Sequence, residues 1–268
     1  MTGRTRKPSR PSTSPAGAAP ESTVPESTVP AAQPQLPTGN RWRRVGLLGG
    51  TFDPIHYGHL RLAESLAAIF NFDELLFIPT YSPPHKDFDR VTSAYHRYAM
   101  TVLATLQMDI ARVSMVEIFA PERPYTADTV ATLRRTYGDE THLFFMMGAD
   151  SFASLPKWER YQTLLDSCHL IVMTRPKYEV GDLATLAGQY GAGRVIDLRG
   201  GRASQRAVTS NLGETGMHVF LTDLFALDVS ATDIRQAVSE GRSIARFVPP
   251  LVERYIHVYG LYSNGYHA

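Results

Sequence analysis

Val45-Gly46-Leu47-Leu48-Gly49-Gly50-Thr51-Phe52-Asp53-Pro54-Ile55-His56-Tyr57-Gly58-His59 is the stretch that decides the fold. Its first four residues read as a short buried strand. Leu60, Leu62, Ala63, Leu66, Ala67 and Phe70 then recur at helical spacing. Between strand and helix stand two glycines and two histidines. Glycines after a strand let the backbone approach a phosphate closely. The N-terminus of the following helix directs N–H groups and positive potential at the same anion. His56 and His59 can add imidazole N–H donors, and Gly58 between them leaves room for a nucleotide.

Two other chemistries compete for this stretch. A dinucleotide-binding dehydrogenase needs Gly-x-Gly-x-x-Gly at the turn and an acidic residue about 20 positions on. Asp73 lies near that distance, but Gly-Gly-x-x-x-Pro and the paired histidines do not suit the turn. A zinc site could use His56 and His59 with His85 and Asp53, yet no cysteine or carboxylate completes a convincing set.

Outward from this unit, strands alternate with helices. Leu75–Pro79, Val113–Phe119, His142–Met147, His169–Met173 and Val219–Leu221 read as strands; 93–107, Thr126–Tyr137, Trp158–Asp166, 231–239 and 249–258 read as helices. This order predicts an α/β fold: a Rossmann-like doubly wound parallel sheet with C-terminal helices. Ligands in such sheets bind beyond the carboxyl ends of the strands, where His56, His59, Lys86 and Asp150 fall. Residues 181–217, rich in glycine and polar residues, read as a surface insertion.

Residues 1–40 differ in kind. They are dominated by Pro, Ser, Thr and Ala, repeat Pro-Glu-Ser-Thr-Val at 20–24 and 25–29, and hold too little apolar surface to offset the entropy of ordering. A disordered tail is expected there, with one domain from 41 to 268. They also lack the apolar run of a secretory signal. Net charge is +1, which argues against broad binding to nucleic acid or membrane, and the lone Cys168 agrees with a reducing cytoplasm. No apolar run is long enough for a transmembrane helix.

Gly49 to His59 resembles the signature of the nucleotidylyltransferase superfamily with the His-x-Gly-His motif. Ser230-Ala231-Thr232-Asp233-Ile234-Arg235 resembles its C-terminal Ser-x-Thr-x-x-Arg motif. Within it, Pro84-His85-Lys86, Pro124-Tyr125-Thr126 with Thr129, Gly148-Ala149-Asp150-Ser151, Trp158 and His169 to Pro176 are most similar to bacterial nicotinate-mononucleotide adenylyltransferases. The resemblance covers about 44–178 and 218–262.

It implies attack by the phosphate of nicotinate mononucleotide on the α-phosphorus of ATP, with pyrophosphate leaving. His56, His59 and Arg235 would be catalytic. Gly49, Gly50, Thr51, Phe52, Lys86, Gly148, Asp150, Ser230 and Thr232 would bind ATP, and Tyr125, Thr126 and Trp158 the pyridine nucleotide. Mg²⁺ would arrive on ATP, with no protein metal cage. Plainer roles remain open at four positions: helix caps at Ser230 and Asp150, a solvated lysine at 86, and a core tryptophan at 158. No oligomeric state follows from the sequence.

Overall fold

The computed structural model describes residues 1, 3, 41–81, 91–120, 124–174, 183–190, 195–212, 216–224 and 229–263. The chain divides into two units, Met1–Leu36 and Pro37–Ala268. Of the first, only Met1 and Gly3 are described, so the expected tail lies outside the described residues, as do Lys86 and Arg175-Pro176.

Among the described residues, seven strands form one sheet: β1 Arg43–Gly50, β2 Glu74–Pro79, β3 Ala111–Val113, β4 Thr141–Gly148, β5 His169–Met173, β6 Val195–Asp197 and β7 Val219–Thr222. Their order is β3-β2-β1-β4-β5-β7-β6, and every pairing is parallel. All six residues of β2 are buried, as a strand covered on both faces requires. The chain builds outward from β1 through β2 to β3, then returns to place β4 on the other side of β1. The crevice between the carboxyl ends of β1 and β4 is therefore the topological switch point.

Among the described residues, nine helices cover the two faces. Helices α1 Tyr57–Phe70, α2 Ala94–Thr105, α7 Gln205–Asn211, α8 Ala231–Ser239 and α9 Pro250–Val258 lie on one side. The other side carries α3 Thr126–Tyr137, α4 Ala149–Ala153, α5 Tyr161–Ser167 and α6 Leu183–Gln189. The first core packs Leu66, Phe70, Phe144, Phe220 and Ile256; the second packs Val45, Leu47, Val130, Phe152 and Val172. Close packing fixes Gly46, where an added Cβ would lie 2.5 Å from the Phe72 ring and 2.6 Å from Met146.

Three elements differ from the sequence reading. β3 ends at Val113, because Ser114 turns the chain away after its N–H bonds the Phe77 carbonyl. The helix expected from Trp158 is a 3-10 turn at Leu155–Lys157 followed by α5; between them Arg160 takes a left-handed φ of 56°, which breaks helical continuation. The segment 181–217 is more than a surface insertion. It supplies α6, the edge strand β6 and α7, and buries Leu183, Ala187, Ile196, Leu198, Val208 and Leu212. Elements this short carry too few apolar repeats for a period to be read.

Candidate active site

Gly49 and Gly50 end β1 at the switch point, and Gly49 is exposed. A Cβ at Gly50 would meet the Phe52 ring at 2.8 Å, so only glycine fits beneath it. Phe52 has φ 49° and is 2% exposed, with its ring edge-on to His59 at 5.1 Å. Of the residues assigned to ATP, Phe52 thus turns its side chain into the core, and only its backbone is available to a ligand.

The chain then enters α1 with His56 as N-cap, and the two imidazoles stack with centroids 3.8 Å apart. The His56 backbone N–H donates to Nδ1 of His59 at 3.3 Å. Nδ1 of His59 is therefore an acceptor, and the neutral ring must carry its proton on Nε2. His56 is 4% exposed, and its Nδ1 is buried with no partner among the described residues. Burial pushes His56 down to about 4; burial, then the neighbouring His56, pushes His59 down to about 3. The free site thus holds two neutral imidazoles, each with an N–H to offer.

Arg235 joins this loop from the far end of the sequence. Its Nη1 donates to the Asp53 carbonyl at 2.7 Å and its Nη2 to Thr232 Oγ1 at 3.1 Å. Ser230 caps α8, its Oγ accepting from the Thr232 N–H at 3.2 Å. The cap role is real, and the exposed Ser230 hydroxyl retains a proton for a ligand. On β4, Gly148 is the N-cap of α4; a Cβ there would meet open space, and Asp150 is exposed in the first turn.

Tyr125, Thr126 and Trp158 belong to segments on the other face of the sheet. Tyr125 is the N-cap of α3, but its N–H is occupied by Asp128 Oδ2 at 3.2 Å. The donors left at that helix start are the N–H groups of Thr126 and Ala127, which have no partner among the described residues. Asp128 is also paired with Arg160, whose guanidinium lies over the Tyr125 ring at 5.6 Å. Trp158 is half-buried against the second core, so its ring is a packed side chain with one accessible part.

The sequence reading missed the groups that hold these loops. Arg97, 1% exposed, donates to the carbonyls of Thr51 at 2.7 Å, Thr92 at 2.7 Å and Tyr81 at 3.0 Å. Glu117 accepts from Thr129 Oγ1 at 3.0 Å, and burial raises it to about 6. Asp53, 3% exposed, accepts from Tyr262 and from the Thr92 N–H. A single arginine inside a helical pattern gives no sign of burial, and Tyr262 is remote in sequence from its partner.

A second histidine group lies at the opposite, N-terminal edge of the sheet. His169 Nδ1 accepts from the His218 N–H at 3.0 Å, so its Nε2 must donate to His142 Nδ1, also at 3.0 Å. Burial lowers His142 to about 4 and His169 to about 3. The folded pKa values of these two and of His56 and His59 lie below the ordinary 6.5, so the unfolded chain binds more protons. The stability these four contribute is complete above about pH 6.5 and is lost as pH falls towards their folded values. Between about pH 6.5 and 5 ordinary carboxylates stay ionised; among the described residues Glu117, raised to about 6, opposes the trend. The urea midpoint is expected to fall steadily across that window, and a flat profile would rule out buried neutral histidines.

The Cytidylyltransferase-like family matches residues 47–237. A protein of Moorella thermoacetica is 40% identical over 220 residues, covering 82% of this chain and 91% of its own. One from a Thermoanaerobacter species is 37% identical over 221 residues, covering 82% and 95%. Both bear the name "Probable nicotinate-nucleotide adenylyltransferase". Among solved structures, the Plasmodium falciparum nicotinic acid mononucleotide adenylyltransferase complexed with NaAD aligns with a TM-score of 0.60 at 16% identity, over 82% of this chain and 97% of that one. At that identity the likeness is one of fold.

Proposed function

The chain belongs to the nicotinate-nucleotide adenylyltransferases, and on that premise we propose that it joins ATP to nicotinate mononucleotide, giving nicotinate adenine dinucleotide and pyrophosphate for NAD synthesis. The observation that carries the reading is a buried pair of neutral imidazoles at the switch point, on the loop whose carbonyl tethers Arg235.

An oxygen of the mononucleotide phosphate attacks the α-phosphorus of ATP. The bond from that phosphorus to the bridging oxygen breaks, and pyrophosphate departs with the electron pair. The attacking oxygen is already anionic, so no general base is needed, and the work is positioning and charge stabilisation. In this reading His56 and His59 donate N–H bonds to the phosphates where charge grows. A bound triphosphate favours their protonated forms and opposes the burial that keeps them neutral. Arg235 spends two of its five N–H donors on Asp53 and Thr232, leaving the others for the β- and γ-phosphates.

Gly49, Gly50 and Thr51 would meet the nucleotide through the backbone, with Ser230 and Thr232 beside Arg235. Gly148 and Asp150 suit a ribose, and Lys86 would complete the phosphate contacts. Mg²⁺ would arrive on ATP. In this reading phosphate oxygens and water would supply its ligands. Thr126 and Trp158 would receive the pyridine ring. No described helix is long and apolar enough to cross a membrane. The cytoplasm is the location this reading assigns, where the buried Cys168 would stay a thiol.

Incubation with ATP and nicotinate mononucleotide is expected to yield the dinucleotide and pyrophosphate in equal amounts, both absent when either substrate is omitted. Pyrophosphate release without dinucleotide would overturn the proposal.

A further inference from the structure

Tyr262 is one of four non-glycine residues among those described whose backbone lies in the left-handed region, at φ 63°, with Phe52, Asn71 and Arg160. Such a conformation is unfavourable for a bulky residue and persists only where surrounding contacts impose it. The phenol hydroxyl donates to Asp53 Oδ1 at 2.7 Å. The other oxygen of that carboxylate accepts from the Thr92 N–H at 3.3 Å. Asp53 is held from two sides, and Arg97 fixes the flanking Thr51 and Thr92 carbonyls. What Asp53 presents outward is its own carbonyl, which takes Nη1 of Arg235.

A simpler role would be to fasten the chain's end to the domain. That fastening exists without the hydroxyl: Leu261 is fully buried, and its N–H bonds the Ile256 carbonyl at 3.0 Å. Burial, then the charge of Asp53, pushes the phenol's ionisation far above its ordinary range, so the hydroxyl remains a donor at any working pH.

We infer that Tyr262 is a positioning residue for Arg235: bonded to Asp53, it fixes the carbonyl that tethers the guanidinium and so aims the free N–H groups at the ATP phosphates. The inference rests on the phosphate-binding role proposed for Arg235. It gives the C-terminal segment a part in binding one substrate and none in binding the other. The hydroxyl touches no reacting atom, so its effect should be graded and confined to ATP.

The test is steady-state kinetics of the full-length Tyr262→Phe enzyme with each substrate varied, beside Arg235→Ala and the double variant. Tyr262→Phe is expected to raise KM for ATP by about 10-fold, with KM for nicotinate mononucleotide unchanged. A fastening role would instead lower the melting temperature and kcat at an unchanged KM for ATP. In the Arg235→Ala background, Tyr262→Phe should add less than about 2-fold, since partners in one network are not additive. An unchanged KM for ATP in Tyr262→Phe, or the full penalty persisting without Arg235, overturns the positioning role. Arg235→Ala with an unchanged KM for ATP would remove the phosphate role of Arg235, and this inference with it. Should Tyr262→Phe fail to fold, Asp53→Ala replaces it: the methyl group accepts neither bond, so the same ATP-selective rise is expected, and an unchanged KM for ATP again overturns the inference.

Discussion

The His59→Ala enzyme is expected to fold normally and to turn over about 100- to 1000-fold more slowly, equivalent to about 2.7–4 kcal/mol of lost transition-state stabilisation. The size follows from the environment of the ring. His59 is held between the Phe52 edge and the His56 face, with Nδ1 accepting the His56 N–H. That bond settles which nitrogen carries the proton, so Nε2–H is a donor fixed in direction before substrate arrives. A donor that needs no reorganisation is worth most when charge develops during reaction. Substrate affinity should change less than kcat, because the demand for the donor grows towards the transition state. Losing the ring leaves the part-buried His56 N–H without its partner, a modest cost to folding. Circular dichroism and a melting curve establish the fold, and a rapid-quench assay gives the chemical step. A folded variant with near-normal turnover would falsify the assignment of this loop.

Nicotinate mononucleotide is expected to be used about 100-fold more efficiently than nicotinamide mononucleotide. The motivation is the start of α3, where the Thr126 and Ala127 N–H groups have no partner among the described residues. These are donors only, and the 12-residue helix behind them adds positive potential. A carboxylate accepts from every such donor. A carboxamide sets an NH₂ against one of them and brings no charge, and a charge-assisted bond is worth about 1.5–3 kcal/mol. Arg160 strengthens the preference through its positive charge beside Tyr125, although Asp128 offsets part of it. Trp158 should contribute to both substrates alike, so Trp158→Ala is expected to weaken both without changing their ratio. The measurement is kcat/KM for the two mononucleotides side by side. Equal values would mean that the α3 donors do not read the carboxylate.

Val45 to Phe70 was enough to identify a strand, a glycine turn and a helix, because those properties are local: a run of apolar residues, two glycines and a 3.6-residue period. The same locality revealed α3, β5 and α8 at their observed bounds, since each is long or apolar enough to bury one continuous face. It also placed Ser230, Thr232 and Arg235 together, all within about one and a half helix turns. The edge strand β6 and its flanking helices α6 and α7 were not legible, because each gains its stability from neighbours distant in sequence. Phe52 could be placed in the motif but not oriented; only the packed core shows its ring turned inward against Phe77 and His59. Tyr125 could be placed at a helix start, yet the capture of its N–H by Asp128 depends on how the helix is entered. The bonds that shape the site join Asp53 to Tyr262, Arg97 to Thr51 and Arg235 to Asp53, across separations of 209, 46 and 182 residues. Sequence determined which chemical groups this protein has and which local elements carry them. Tertiary structure decided which of those groups are buried, which donors are already taken and which remain free, because burial and hydrogen-bond pairing belong to the assembled core and not to any single segment.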